Sequence, residues 1–329
     1  MERLHTDLFD MECCKLCPRK CSVDRRAAGG SVKNGVCGQS EKIKIARAAL
    51  HYWEEPCISG KNGSGAVFFS GCSLKCVFCQ NREISAGGFG REISVERLGE
   101  IFLELQEKGA ENINLVTPTH FIPQIRAALD LVREHLKLPI VYNSSGYENV
   151  ESLKLLDGYI DIYLPDFKYA DKGLAAELSK AGDYPECALS AIDEMVRQTA
   201  EKQSPEDCSS DGICSFDDRG MMRKGVIIRH LVLPGHIHNS QDVLKLLYER
   251  YNNTLYYSIM NQYTPPEDRM MLDALSKEHP ELTRKLTKRE YEKTIDYALS
   301  LGITKAFIQE GDTASESFIP PFDLEGVDL

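Results

Sequence analysis

Beyond residue 65 the chain alternates short β-branched and aromatic runs with longer amphipathic stretches. Seven runs predict strands: 66–70, 112–116, 139–142, 159–164, 226–233, 255–260 and 305–309. Between them the apolar positions recur at helical spacing. Ser94 caps a stretch over 95–108, with Leu98, Ile101, Phe102 and Leu105 on one face and Gly109 as its stop. Pro123 stands where a first turn accepts it, and Ile125, Leu129, Val132 and Leu136 follow. Ser240 precedes Val243, Leu246 and Leu247, and Tyr291, Ile295 and Leu299 mark a late helix. Strand–helix alternation of this kind builds a parallel sheet covered by helices, either doubly wound or curled into a barrel. In both, ligands sit at the carboxyl ends of the strands, so the chemistry is expected just after each run.

The alternation is interrupted between Tyr169 and Gly225 by a helix over 187–202 and a polar stretch, 204–223, which reads as a surface loop or hairpin. The first 45 residues show little periodicity and read as a loop-rich, metal-stapled module. Residues 46–65 read as a connector, 66–312 as the main α/β domain and 313–329 as a tail. Gly60–Gly65 precedes a strand instead of following one, and Gly87-Gly88-Phe89-Gly90 follows no strand, so neither has the context of a phosphate or dinucleotide loop. His236 and His238 read as ordinary loop histidines.

Charge changes little. A balance of 39 basic against 50 acidic residues argues against a nucleic-acid-coating protein. No apolar run reaches the length of a membrane span, and residues 1–8 lack the apolar core of a signal peptide, so the expectation is a cytoplasmic protein without a membrane partner. Cysteine changes more. Twelve cysteines, none after Cys214, in a chain read as cytosolic favour metal over disulfides.

Directly after the first run comes Ser70-Gly71-Cys72-Ser73-Leu74-Lys75-Cys76-Val77-Phe78-Cys79-Gln80-Asn81. Cys72, Cys76 and Cys79 supply three thiolates and no fourth follows, which leaves one corner of a four-iron cluster open. A structural zinc loop would want four closed ligands. This Cys-x3-Cys-x2-Cys loop after a first β/α strand, with an aromatic before the third cysteine, resembles the radical S-adenosylmethionine (SAM) superfamily. The resemblance implies a partial (β/α)6-type barrel. It also implies a [4Fe–4S] cluster whose open iron takes the SAM methionine group, reductive cleavage to a 5′-deoxyadenosyl radical, and abstraction of a substrate hydrogen. Segments 53–56, 69–81, 112–120, 141–147, 161–169, 229–235 and 261–265 are similar to a group related to pyruvate formate-lyase activating enzymes.

The same resemblance implies SAM contacts at successive strand ends. Val116-Thr117-Pro118-Thr119-His120 stands where relatives carry Gly-Gly-Glu; Thr117 and Thr119 can accept from an ammonium, and since a cation would be unhelpful there His120 is expected neutral or turned away. Asn143-Ser144-Ser145-Gly146 resembles a methionine- or ribose-approaching segment. Lys168 is expected on the SAM carboxylate, with Asp166 orienting it. Arg229, a charge inside a buried run, must be paired; the alternatives are SAM or a structural salt bridge. Phe78 and Gln262 complete the expected cofactor contacts.

Cys14-x2-Cys17-x3-Cys21-x15-Cys37 forms a second constellation, compatible with all-thiolate zinc or an auxiliary iron–sulfur cluster, with Cys13 an alternative to Cys14. The missing carboxyl-terminal cysteines argue against the auxiliary-cluster domains of peptide-maturing radical enzymes. The activity expected by resemblance is hydrogen abstraction from a glycine of a partner glycyl radical enzyme, with flavodoxin or ferredoxin as electron donor. Two alternatives stand beside it: a radical SAM enzyme acting on another protein side chain or a small molecule, and a non-catalytic iron–sulfur or zinc interaction protein.

Overall fold

The computed structural model describes residues 11–26, 35–200, 212–266, 268–309 and 319–328. All seven predicted runs are strands: β2 (Ser64–Phe69), β4 (Ile113–Val116), β5 (Ile140–Ser144), β6 (Ile162–Pro165), β8 (Met222–Leu231), β9 (Tyr256–Met260) and β10 (Ala306–Ile308). They pair in parallel in the order β10-β9-β8-β6-β5-β4-β2. Three further strands complete the sheet. β1 (Ile43–His51) lies antiparallel on β2, β3 (Arg91–Ile93) on β1, and β7 (Ser215–Phe216) forms a hairpin with β8. Among the described residues β10 pairs with β9 alone, so the parallel array is an open barrel.

Period-two alternation divides each strand between two environments. Val67, Phe69, Ile113, Leu115, Tyr142, Tyr163, Val226, Ile228, Tyr257 and Ile259 pack in one large core with the helices. The opposite face carries Val141, Ile162, Leu164 and Ile227 in a smaller apolar cluster, then turns polar toward the strand ends with Asn114, Asn143 and Arg229. The covering helices include α3 (Val95–Glu107), α4 (Ile122–Val132), α7 (Tyr184–Ala200), α8 (Ile237–Tyr251) and α10 (Lys288–Leu301), after two single-turn helices, α1 (Pro56–Ser59) and α2 (Arg82–Ser85). Ser94 caps α3 through the Arg97 N–H, as its position predicts, and Pro123 lies in the first turn of α4. Ser240 does not cap α8. That helix begins at Ile237, and Ser240 is buried inside it, its hydroxyl 2.9 Å from His230 Nε2.

The stretch read as a connector holds most of β1, the helix α1 and the start of β2. The last described residues return to β1. Leu324 N–H donates to Ala46 O, Ala48 N–H to Glu325 O, Val327 is buried, and Arg47 pairs with Asp323 and Glu325. Residues 204–211 of the polar stretch lie outside the described residues; the larger part, from residue 212, leads into the β7–β8 hairpin. No described helix is long and apolar enough to cross a membrane.

Candidate active site

The parallel strands end around a chamber of about 190 Å³. Cys76, Phe78 and Cys79 enter it from the loop after β2, Asn143 from β5, Asp166 and Lys168 from the turn after β6, Arg229 from β8 and Gln262 from the turn after β9. The chamber shares Trp53, Glu54, Arg229, Met260 and Gln262 with a neighbouring cavity of about 660 Å³ on the open side of the barrel.

Its centre is a buried ion network. Arg229 donates to Glu54 Oε2 (2.7 Å), Asn143 Oδ1 (3.0 Å) and Asp166 Oδ1 (3.3 Å). Glu54 Oε1 accepts from Asn114 (3.0 Å) and Asn143 (3.2 Å). Asp166 Oδ2 also accepts from Lys168 Nζ at 2.5 Å. Burial alone would drive each charge toward neutrality. Here it is outweighed: Lys168 and Arg229 hold Asp166 below the usual carboxylate range. Against the same burial, Asp166 and the sulfurs of Cys76 and Cys79 keep Lys168 above the ordinary lysine value, and Glu54, Asp166 and Glu55 raise Arg229. Glu55 is the least satisfied member. Burial pushes its carboxyl up, and Oε2 lies 4.0 Å from Arg229 without a hydrogen bond.

The cysteine loop suits an iron–sulfur group. Polar groups face each sulfur: Leu74 N–H donates to Cys72 Sγ (3.4 Å), Ser179 Oγ to Cys76 Sγ (3.0 Å), and Ser85 Oγ lies beside Cys79 Sγ (3.2 Å). Donors aimed at sulfur favour the thiolate, the form that ligates iron. Without a metal, burial pushes Cys76 up to about 12 and raises Cys72 as well. Among the described residues no three His, Cys, Asp or Glu side chains are grouped as ligands of one ion. Cluster thiolates each take a separate iron corner, so they stand farther apart than ligands of a single ion. Gly71 precedes the loop at φ +89, and a Cβ there would meet Cys37 O at 2.7 Å. Close approach and left-handed backbone both require glycine.

The turn after β4 behaves differently. Thr117 adopts φ +60, a costly conformation for a β-branched residue, with its N–H on Asn143 O. Thr119 and His120 point elsewhere than the chamber lining. Thr119 Oγ1 donates to Glu148 (2.7 Å), and His120 Nε2 lies 2.6 Å from Ser70 O. Burial, with Arg25 nearby, drops His120 to about 3, so the ring is neutral. Glu54, Glu55 and Glu148 were not singled out as site residues. Trp53-Glu54-Glu55-Pro56 was visible only as part of the family likeness, and Glu148 follows the Asn143–Gly146 turn.

The N-terminal cysteines lie near one another, although no three of them are grouped as ligands of a single ion. Cys17 has Cys37, Cys14 and Cys21 as electrostatic neighbours, whereas burial dominates in raising it to about 12. Arg19 joins this segment to the other loop, donating to Ser73 O (2.8 Å), Leu74 O (3.0 Å) and Ser179 O (3.0 Å). His236, beyond β8, pairs with Glu281 at 3.0 Å.

Comparison with known proteins places these features. An uncharacterized protein of Methanocaldococcus jannaschii is 28% identical over 295 residues, which cover 87% of this chain and 74% of that one. Among solved structures, Streptococcus suis SuiB bound to S-adenosylmethionine matches with a TM-score of 0.47 at 16% identity, over 76% of this chain and 50% of SuiB. Methylornithine synthase (PylB) matches with a TM-score of 0.40 at 13% identity, over 77% of this chain and 75% of that one. The chain thus spans about half the length of SuiB. The radical SAM profile matches residues 66–247, more than half of the chain and the span that carries Cys72, Cys76, Cys79 and Arg229, and on that match the chain belongs to the radical SAM superfamily, whose members imply a [4Fe–4S] cluster and SAM.

Proposed function

We propose that Cys72, Cys76 and Cys79 hold the [4Fe–4S] cluster and that SAM occupies the chamber they face, against Asn143, Asp166, Lys168, Arg229, Gln262 and Glu54. The observation that carries this reading is the meeting of two of those cysteines with Lys168 and Arg229 in one cavity at the parallel strand ends. When bound, cluster and SAM supply a 5′-deoxyadenosyl radical that abstracts a hydrogen atom. The protein's own residues bind and orient. Lys168, a point cation beside Cys76 and Cys79, is placed to receive the SAM carboxylate. Phe78 packs edge-on against Tyr169 and Tyr263 and fixes the third cysteine's approach. Gln80 donates to Gln262 O, tying the cysteine loop to the turn after β9. Thr117 borders the methionine end, and Thr119 and His120 support it from behind, through Glu148 and Ser70.

The substrate we infer is a glycine of a partner glycyl radical enzyme, as in pyruvate formate-lyase activation, with a flavodoxin- or ferredoxin-type donor. The likeness of segments 53–56, 161–169 and 229–235 to that group supports it. The Thr117–His120 turn in place of Gly-Gly-Glu favours a second reading, another protein side chain or a small molecule. Cys14, Cys17, Cys21 and Cys37 are read as a second metal site, of zinc or an iron–sulfur cluster, within an N-terminal module. The test is anaerobic incubation with reductant and SAM. 5′-Deoxyadenosine above a Cys76→Ala control is expected, and its absence refutes the enzyme. A glycyl radical signal by electron paramagnetic resonance on a candidate partner separates activation from the second reading.

A further inference from the structure

Arg25 is fully buried, and its donors reach Gln39 O (3.2 Å), Ser40 O (2.6 Å), His120 O (2.7 Å) and Cys14 Sγ (3.7 Å). None of these described partners is a carboxylate. Carbonyls satisfy its N–H groups but leave its charge without a carboxylate counter-ion among the described residues, and a buried guanidinium needs one. Two sulfurs lie at hand. Cys14 accepts from Arg25, and Cys37 has Arg25 as an electrostatic neighbour.

Each of the four N-terminal sulfurs receives one N–H donor. Arg25 serves Cys14, the Arg19 backbone serves Cys17, the Val36 backbone serves Cys21 at 3.4 Å, and the Gln39 backbone serves Cys37. Two cysteines elsewhere in the chain act as donors. Cys187 Sγ donates to Asp183 (3.6 Å) and Cys214 Sγ to Val226 O (3.6 Å), as protonated thiols do. Four sulfurs that accept, beside a cation with no carboxylate partner among the described residues, have donors that favour the thiolate against the burial that raises Cys17 and Cys37.

We propose that Cys14, Cys17, Cys21 and Cys37 bind one anionic, all-thiolate metal centre, and that Arg25 is its built-in counter-cation. This deepens the reading of a second metal site: it gives the centre a charge, a fixed neighbour and Cys14, not Cys13, as ligand. Four thiolates leave either zinc or a [4Fe–4S]²⁺ core with a net charge of about −2, which one guanidinium halves; the lack of a single-ion grouping among the described residues suits the separate corners of a cluster better than zinc. Arg25 also ties the centre to the catalytic loop. The His120 carbonyl it holds belongs to the residue whose ring meets Ser70 O, and the Cys37 carbonyl packs on Gly71.

The test uses the full chain lacking Cys72, Cys76 and Cys79 (each →Ala), so that only the second centre is counted. After anaerobic reconstitution with iron and sulfide, or expression with zinc, one zinc or about four irons per chain are expected to remain. Adding Cys14→Ser should remove the metal, whereas Cys13→Ser should not. In the same background Arg25→Gln should speed metal release to a chelator roughly 10–100-fold, the range for residues that support ligands. Arg25→Lys, which keeps the charge, should fall between, and circular dichroism checks that both variants fold. No bound metal, metal lost equally with Cys13→Ser, or a release rate unchanged in Arg25→Gln overturns the proposal. The ligands of the SAM-binding cluster are absent from every protein compared, so failure here is separate from failure of the SAM reading.

Discussion

Glu148 offers a sharp test of the electrostatics behind the strand ends. It is almost fully buried, with Thr119 donating to Oε1 and Tyr142 to Oε2 (3.1 Å). Burial raises its carboxyl from 4.5 to about 7, although hydroxyls of Thr119, Ser144 and Tyr142 pull the other way. An acid whose folded value lies above its unfolded one stabilises the fold fully below the unfolded value and loses that stability as pH climbs through the folded value. At about 1.4 kcal/mol per pH unit, the interval from 4.5 to about 7 is worth about 3 kcal/mol, of which about 2.5 kcal/mol falls between pH 5 and 8. His120 and His230, lowered by burial to about 3 and about 4, act oppositely: each stabilises above its unfolded value and loses that as pH falls. Both histidines are common to wild type and Glu148→Gln, so the difference between the two proteins isolates the acid. Urea unfolding at pH 5, 6, 7 and 8 should show the wild type losing about 2 to 3 kcal/mol relative to the variant across the series. A difference that stays flat with pH would refute the assignment.

Three further outcomes follow from the same geometry. Lys168→Ala should weaken SAM binding at least about tenfold in equilibrium dialysis while leaving cluster iron unchanged, since its loss removes one charge-assisted contact; equal affinity would remove Lys168 from the cofactor site. Arg229→Ala should also weaken SAM binding with the cluster iron retained, and should cost about 3–5 kcal/mol of stability in thermal or urea unfolding, because Glu54, Glu55 and Asp166 would lose their shared cation; wild-type stability in the variant would contradict that pairing. Gly146→Ala places a Cβ 2.2 Å from Asp166 O at a φ of +75, so a loss of at least about 1–3 kcal/mol is expected, and a melting point equal to wild type would show that the turn relaxes freely.

Sequence legibility followed burial. The seven parallel strands are apolar on both faces and read as continuous runs, and α3 carries its cap and stop in plain letters. β1 escaped notice because Ile43–His51 mixes alanines with lysine and arginine, and its cover, Leu324 and Glu325, lies far away in the chain. Arg229 was recognisable as a charge that must be paired, yet its partner Glu54 is 175 residues distant and became evident only once β1 lay beside the barrel. The cysteine spacings were readable because loop ligands are local in sequence. His120 was legible in outcome, neutral and turned away because a cation there is unhelpful, but its partner was not: the ring meets Ser70 through the 3₁₀ turn Thr119–Phe121, and no spacing rule records that direction.

The pairing of Arg229 with Glu54 makes the chamber its own competitor. A ligand carboxylate that takes this guanidinium exchanges one anion for another, so its affinity reflects the difference between two ion pairs, not the full strength of either. A molecule of the same shape without a carboxylate has nothing to trade, and the internal pair stays closed against it. Selectivity of this kind arises from an incumbent that only the right rival can displace.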